Sequence, residues 1–349
     1  MAALSRQALL GKVQTVTGLI EPSSLGRTLM HEHLRLDLNP PKFRAEPARN
    51  DTLAPCDCFD VRWGSLYKSL NFRLDDEALA RRELERLRDA GGETLVELTV
   101  GGLGPRPESL VRLARDTGVN IVMGSGHYVE EYQDDANAAR EVEDFAREII
   151  EQITVGAWGT TIRSGIIGEI GCSAPWTPQE KRVMRAALIA QAETGAALNV
   201  HPGRHSDQPE EIAAFARVAG APMERIIISH VDRTIFDADR LLRLADSGVV
   251  IEFDLFGWEQ SYYFPNPDID MPNDAARLRW LRLLRDHGHI ERILISQDIC
   301  ERTRLTAYGG HGYGHVLRNV VPLMLRRGFS ADEVETILVR NPARLLTFV

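Results

Sequence analysis

Short apolar runs alternate along the chain with longer stretches in which Leu, Ile, Val and Ala recur every three or four positions. The runs are Thr28-Leu29-Met30, Thr94 to Thr99, Val119 to Gly124, Ile166 to Gly171, Ala197 to Val200, Ile226 to Ser229, Val249 to Asp254 and Ile293 to Gln297. Strands buried on both faces read in this near-continuous way. One helical pattern separates each pair: 75–90 before Gly91-Gly92, 107–117 before Gly118, 136–153, 177–188, 209–219, 237–247, and a helix from Asn273 to Asp286. Thr177, Pro178 and Glu180 form a capping box, and Asn341-Pro342-Ala343-Arg344 reads as the cap of the last helix. Strand, helix, strand without hairpin signals is the rhythm of a parallel sheet, and eight repeats close a barrel. The expectation is an α/β chain forming one (β/α)8 barrel domain over 1–349. A short entry hairpin lies in 11–27, and long loops follow strands one (39–75, with a helical piece near Trp63 to Leu70), seven (256–274) and eight.

The ends of these runs carry unusual chemistry. Glu169 sits inside an apolar run, where an anion is costly unless a cation meets it. His31 and His33 follow the first run two residues apart, on one face of a strand. His201 follows the fifth, His230 the sixth and Asp298 the eighth. Ordinary core histidines would not recur at successive strand ends on the mouth where barrel enzymes place their sites. Six such groups exceed one tetrahedral ion with an open position but suit two divalent ions. His31, His33 and Asp298 are assigned to the first, His201 and His230 to the second, with Glu169 bridging. Imidazole favours zinc, and manganese, cobalt or iron also fit. Two ions about 3.5 to 4 Å apart hold hydroxide against an electrophile, and Asp298 can take its proton. His127 is expected to pack or to support a ligand, and Tyr128 to line the substrate pocket. The loop Tyr308-Gly309-Gly310-His311-Gly312-Tyr313-Gly314-His315 suggests a mobile lid or a close backbone approach.

Composition narrows the partners. The chain has 349 residues, is 44% hydrophobic, carries a formal charge of −9, and has no apolar run of membrane-spanning length. Without a basic stripe it is not expected to bind nucleic acid, nor a membrane, and a cytosolic address is expected. A homodimer is left open. Cys56, Cys58, Cys172 and Cys300 are too few and scattered for a disulfide scaffold. Cys56-Asp57-Cys58 lacks the second cysteine pair of a soft-metal site, so reduced surface thiols are expected.

The HxH strand, the later histidine pair, the Asp298 strand and the closing Asn-Pro-Ala-Arg resemble the phosphotriesterase family of the amidohydrolase superfamily over nearly the whole chain. Gly11 to Val16, Gly165 to Ser173, His201-Pro202-Gly203-Arg204 and Tyr308 to Tyr313 are similar to an animal branch of that family. That resemblance implies an amidohydrolase releasing taurine and acetate from N-acetyltaurine, with related N-acyl amino acids as further substrates. Glu169 stands where many members carry a carboxylated Lys, Leu255 where bacterial phosphotriesterases have a His, and Arg233, near the end of strand six, where those enzymes have an acid. These departures disfavour triester cleavage and fit an anionic substrate clamped by Arg204 and Arg233, with Tyr128, His311 and Tyr313 closing over it. A lactone or organophosphate hydrolase is the second reading, a metal-binding barrel without catalysis the third.

Overall fold

The computed structural model describes residues 3–41 and 52–349, so the part of the expected first loop at 42–51 lies outside the described residues. The barrel strands are β1 (Thr28–Glu32), β2 (Thr94–Glu97), β3 (Asn120–Met123), β4 (Ile167–Gly171), β5 (Leu198–His201), β6 (Ile226–Ile228), β7 (Val250–Phe253) and β8 (Ile293–Ile295). All pair in parallel with their sequence neighbours, as β1-β2-β3 and as β4 through β8. Two seams close the ring. At one, Gly165 N donates to Met123 O (2.9 Å) and Gly168 N to Ser125 O (2.8 Å). At the other, Asp298 N donates to His31 O (3.1 Å), while the Glu32 carboxylate accepts from Gln297 N (2.8 Å) and Ile299 N (3.0 Å). Glycine is required at the first seam: a Cβ on Gly124 would lie 2.1 Å from Gly168 O, and one on Gly168 2.1 Å from Asn199 O.

Helices α1 (Glu77–Asp89), α2 (Pro107–Thr117), α3 (Val142–Thr154), α4 (Pro178–Thr194), α5 (Gln208–Val218), α6 (Ala238–Asp246) and α7 (Asp274–Asp286) fill the gaps between strands. Thr177 and Asn273 cap α4 and α7 as expected. The α3 expectation was too long. Residues 135–139 form a separate 3-10 turn, and α3 restarts behind a Glu141/Asp144 capping box, with Arg140 tied to Glu148 and Asn137. In the first loop the helix is Cys58–Trp63 and ends where the expected one would begin, because Gly64 takes φ +81°, where a Cβ would lie 2.6 Å from Phe264 Cβ. The Gly11 to Ile20 stretch makes the entry hairpin (Val13–Thr15 with Gly18–Ile20). Asn341 is not a cap: its side chain donates to Ile290 O (3.0 Å) and Ile293 O (2.9 Å), lashing the last helix beneath β8.

Same-face residues, two apart along each strand, stack in layers inside the ring. The lowest is apolar: Met30, Val96, Val122, Ala197, Ile227, Val250 and Leu294 share one buried cluster with Leu345 and Leu346. Two residues further on are Asn199, Ser229, Glu252 and Ser296, a buried polar layer. Above it sit the strand-end groups His201, Asp254 and Asp298. The core therefore rises from hydrocarbon to ligand chemistry within four residues of each strand, as from Ala197 through Asn199 to His201.

Candidate metal centre

The strand ends do converge. The Glu169 carboxylate has Oε1 in contact with His201 Nδ1, 2.9 Å from His230 Nε2 and 3.6 Å from His31 Nε2, and its Oε2 is 3.8 Å from His33 Nε2. Asp298 Oδ1 lies 3.3 Å from His33 Nε2 and 4.0 Å from His31 Nε2. Two groupings could each hold a cation: His31, His33 and Asp298, and His31, Glu169 and His230. His201 joins the second through its Nδ1, 2.9 Å from His230 Nε2. His31 Nε2 is fully buried and has no hydrogen-bond partner, a position a metal ion would satisfy.

Each imidazole is aimed by a partner behind it. His31 Nδ1 meets Glu252 Oε2 (3.2 Å) and Asp254 Oδ2 (3.3 Å), which accounts for the third acidic grouping, His31, Glu252 and Asp254, as a hydrogen-bonded support. His230 Nδ1 meets Asp254 Oδ1 (2.8 Å), and His230 N donates to Asp254 Oδ2 (2.9 Å). His33 Nδ1 meets Thr99 Oγ1 (3.0 Å), itself donating to Glu97 (2.6 Å). His230 (φ +52°) and Asp298 (φ +45°) hold left-handed backbones, a strain of about 1–3 kcal/mol each that persists only where the surroundings impose it. For Asp298 that imposition is Arg304, whose Nη1 donates to Asp298 O (2.8 Å) and Nη2 to Gln297 O (2.7 Å).

The electrostatics ask for positive charge. Burial opposes a proton on His31, but Glu169, Asp254 and Glu252 outweigh it and raise its pKa well above the usual value. Burial likewise opposes charge on His230, and Asp254 still lifts it to about 8. Glu169 and Asp298, despite burial, are held below the ordinary carboxylate range, Glu169 chiefly by His201 and His31 and Asp298 chiefly by His33 and His31. His201 goes the other way, lowered by burial and by His230 and Arg233.

Over this floor opens a cavity of about 610 Å³. Tyr128, Arg204 and Arg233 line it, as expected from the sequence. The Tyr128 hydroxyl is 3.4 Å from His201 Nε2, Arg233 Nη2 is 3.1 Å from the same atom and donates to Pro202 O (3.0 Å), and Arg204 Nε donates to the Tyr263 hydroxyl (3.1 Å). His311 and Tyr313 do not line it, which corrects their expected place over the substrate. The buried Tyr313 hydroxyl donates to His33 O (2.5 Å) and so props the first strand from behind. His311 packs against Gly257 and accepts from Arg304 Nε at 3.4 Å, so the glycine loop closes on Arg304 and not on a ligand. His127 takes the packing alternative, with Nε2 3.1 Å from Glu148 and its ring edge-on to Phe145. Cys56 is exposed and Cys58 is buried, where a surface thiol was expected, and both are free. Sequence reasoning gave no role to Glu252, Asp254 or Arg304, although two carboxylates two apart in the apolar run 249–254 carried the same signal as Glu169.

A parallel barrel with four imidazoles and a pair of carboxylates at the carboxyl mouth has the layout of a hydrolase of the metal-dependent barrel class. The chain matches the phosphotriesterase family over residues 11–346, and it belongs to that family. It is 43% identical over 346 residues to the N-acetyltaurine hydrolase of Homo sapiens, covering 98% of this chain and 99% of that one. It is 39% identical to the phosphotriesterase-related protein of Nematostella vectensis, covering 97% and 99%. Among solved structures, a resiniferatoxin-binding protein from Rhodobacter sphaeroides superposes with a TM-score of 0.90 at 33% identity, covering 99% of this chain and 98% of that one. The protein is thus a hydrolase of the phosphotriesterase family. No helix among its described residues is long and apolar enough to cross a membrane.

Proposed function

We propose that this hydrolase cleaves N-acetyltaurine, or a closely related N-acyl amino acid, to the carboxylic acid and the free amine. His31, His33 and Asp298 would hold one divalent ion and His201 and His230 a second, with Glu169 shared. Ions in this imidazole-rich set, zinc first among them, supply Lewis acidity that brings the pKa of water towards about 7 and polarises a carbonyl. The protein's own part is proton handling and orientation. Asp298 is the floor carboxylate most open to the cavity, its side chain 13% exposed against 3% for Glu169. In this reading it would take a proton from the attacking water and return it to the departing nitrogen.

The observation that carries the substrate reading is Arg233. It is buried, lines the cavity, stands hydrogen-bonded behind His201, and keeps Nη1 without any partner. A buried guanidinium nitrogen left unsatisfied at a reaction site fits a sulfonate or carboxylate, and Arg204 offers a second cation in the same cavity. The names of the animal relatives agree with such an anionic amide. The test is taurine release from N-acetyltaurine by metal-loaded enzyme, run beside Glu169→Ala and a lactone panel. Turnover abolished in Glu169→Ala supports the assignment. Lactone cleavage without taurine release would replace it.

A further inference from the structure

The cavity is far larger than the smallest substrate of this class. N-acetyltaurine has about ten non-hydrogen atoms, whereas a space of about 610 Å³ lies within the range, roughly 300–1,000 Å³, that takes drug-sized ligands. Its lining is also sorted by chemistry around the ring. Of the three arginines that line it, Arg204 and Arg233 follow β5 and β6, while Arg304, after β8, has both terminal nitrogens on the carbonyls of Asp298 and Gln297. Strands four apart in an eight-stranded ring face each other, so the opposite side belongs to the loops after β1 and β2. That side presents Leu36 and Leu38, Leu103, Phe72 from the first loop, and Val129 from the neighbouring third. Leu36 and Leu103 are buried, and Leu38, Phe72 and Val129 are half-buried. None of these five side chains offers a polar atom, and Tyr67 and Tyr132, which line the same side, donate their hydroxyls to Asn39 Oδ1 (2.7 Å) and Leu38 O (3.3 Å).

The charges beside this wall reinforce the sorting. Glu131 after β3 and Glu301 after β8 line the same cavity and would repel an anion from that side. Glu301 is fixed there, its Oε2 accepting from Asn71 Nδ2 at 3.0 Å. An N-acyl amide spanning the floor therefore has one favourable orientation: its anionic tail on Arg233 and Arg204, its acyl end on the apolar wall. An acetyl group fills little of that wall and leaves leucine and phenylalanine side chains facing water.

We propose that the acyl side of this site is built for chains longer than acetyl, making the preferred substrate class short- to medium-chain N-acyl amides with an anionic amine tail. This rests on the amidohydrolase reading above. Each methylene buried is worth about fourfold in kcat/KM by the usual transfer free energy. The experiment follows taurine release from N-acetyl-, N-propanoyl-, N-butanoyl- and N-hexanoyltaurine. The expected result is a rise in kcat/KM of about fourfold per added methylene, from acetyl at least to butanoyl. Leu103→Trp, which fills the wall, should cut the butanoyl substrate at least tenfold more than the acetyl one. Should that variant fold poorly, Leu38→Asp at a half-buried position should shift the preference in the same direction. A fall in kcat/KM from acetyl to butanoyl, with N-acetyltaurine still cleaved, would overturn the acyl wall and leave the amidohydrolase reading standing. Failure to release taurine from any member, with lactones cleaved, would overturn both.

Discussion

Glu252 gives the sharpest test of how the floor is held. Its Oε2 accepts from Asn199 Nδ2 (2.8 Å) and Ser229 Oγ (3.0 Å) and meets His31 Nδ1 (3.2 Å), while its Oε1 has no partner. Glu252→Gln keeps the volume and one acceptor oxygen but removes the charge that fixes His31 with Nε2 facing the centre. Carboxylates behind metal-binding histidines are commonly worth about 10- to 100-fold in metal affinity. Asp254 still reaches the same nitrogen at 3.3 Å, so the lower half of that range is expected here. With free metal at about 100 times the wild-type Kd, binding stabilises the wild-type fold by about 2.7 kcal/mol. A tenfold weaker site would retain about 1.4 kcal/mol, and a hundredfold weaker one about 0.4 kcal/mol. The assay is a chelator-buffered metal titration of both proteins, read by bound metal per chain and by urea midpoint with and without metal. Unchanged affinity in a folded Glu252→Gln protein would refute the claim that charge behind His31 tunes the centre.

Three further outcomes are expected. Arg277 and Asp232 form a fully buried pair (Nε to Oδ2, 2.7 Å) beneath the β6 and β7 loops, so Arg277→Met should cost about 3–5 kcal/mol, a fall of about 4–7 °C in Tm for a chain this long, with Asp232→Leu added to it recovering much of the loss; equal Tm for all three proteins would contradict this. Arg304→Ala should lower kcat about a hundredfold by freeing the Asp298 backbone, with partial recovery in added guanidinium ion, whereas a loss carried wholly by KM would make the side chain a substrate contact. Glu148 is lowered to about 2 because His127 and Arg140 outweigh its burial, so its contribution is present above the ordinary value near 4.5 and is lost as pH falls towards 2. Glu148→Gln should therefore cost about 1–2 kcal/mol at pH 7, allowing for its partial exposure, and almost nothing at pH 2 in urea titrations.

What could be read from the chain follows from the periodicity of strands. Alternation fixes which residues share a face, and the end of an apolar run marks the mouth, so His31, His33, Glu169, His201, His230 and Asp298 were all legible as strand-end groups. Alternation does not say which distant residue a side chain meets. Glu252 serves His31 from 221 positions away, and Arg304 serves Asp298 through backbone carbonyls, which no side-chain pattern encodes. Tyr313 and His311 were misplaced for a related reason. Four glycines in Tyr308 to His315 signal close backbone approach, and the approach is to the loop's own start: a Cβ on Gly310 would lie 2.1 Å from the Arg304 carbonyl carbon. The break before α3 was hidden because Arg140 suits a helix by propensity, and only its ties to Glu148 and Asn137 hold it out of one.

The layering explains why this floor must draw in positive charge. Glu169, Glu252, Asp254 and Asp298 lie close together at the buried floor, and the other members of the Glu252 layer, Asn199, Ser229 and Ser296, are neutral. Neutral hydrogen bonds cannot offset four desolvated carboxylates, so cations must. Arg304 spends its two terminal nitrogens on carbonyls, and Arg233 stands on the far side of His201 from Glu169. The remaining sources are protons on His31, His33 and His230, whose pKa values are raised by the neighbouring carboxylates, or metal ions on the same side chains. His31 Nε2, buried and unpartnered at the centre, is where a proton would gain no hydrogen bond and a metal ion would gain a ligand. That asymmetry favours metal over protons, and it leaves the buried Arg233, which lines the cavity, with Nη1 unpartnered.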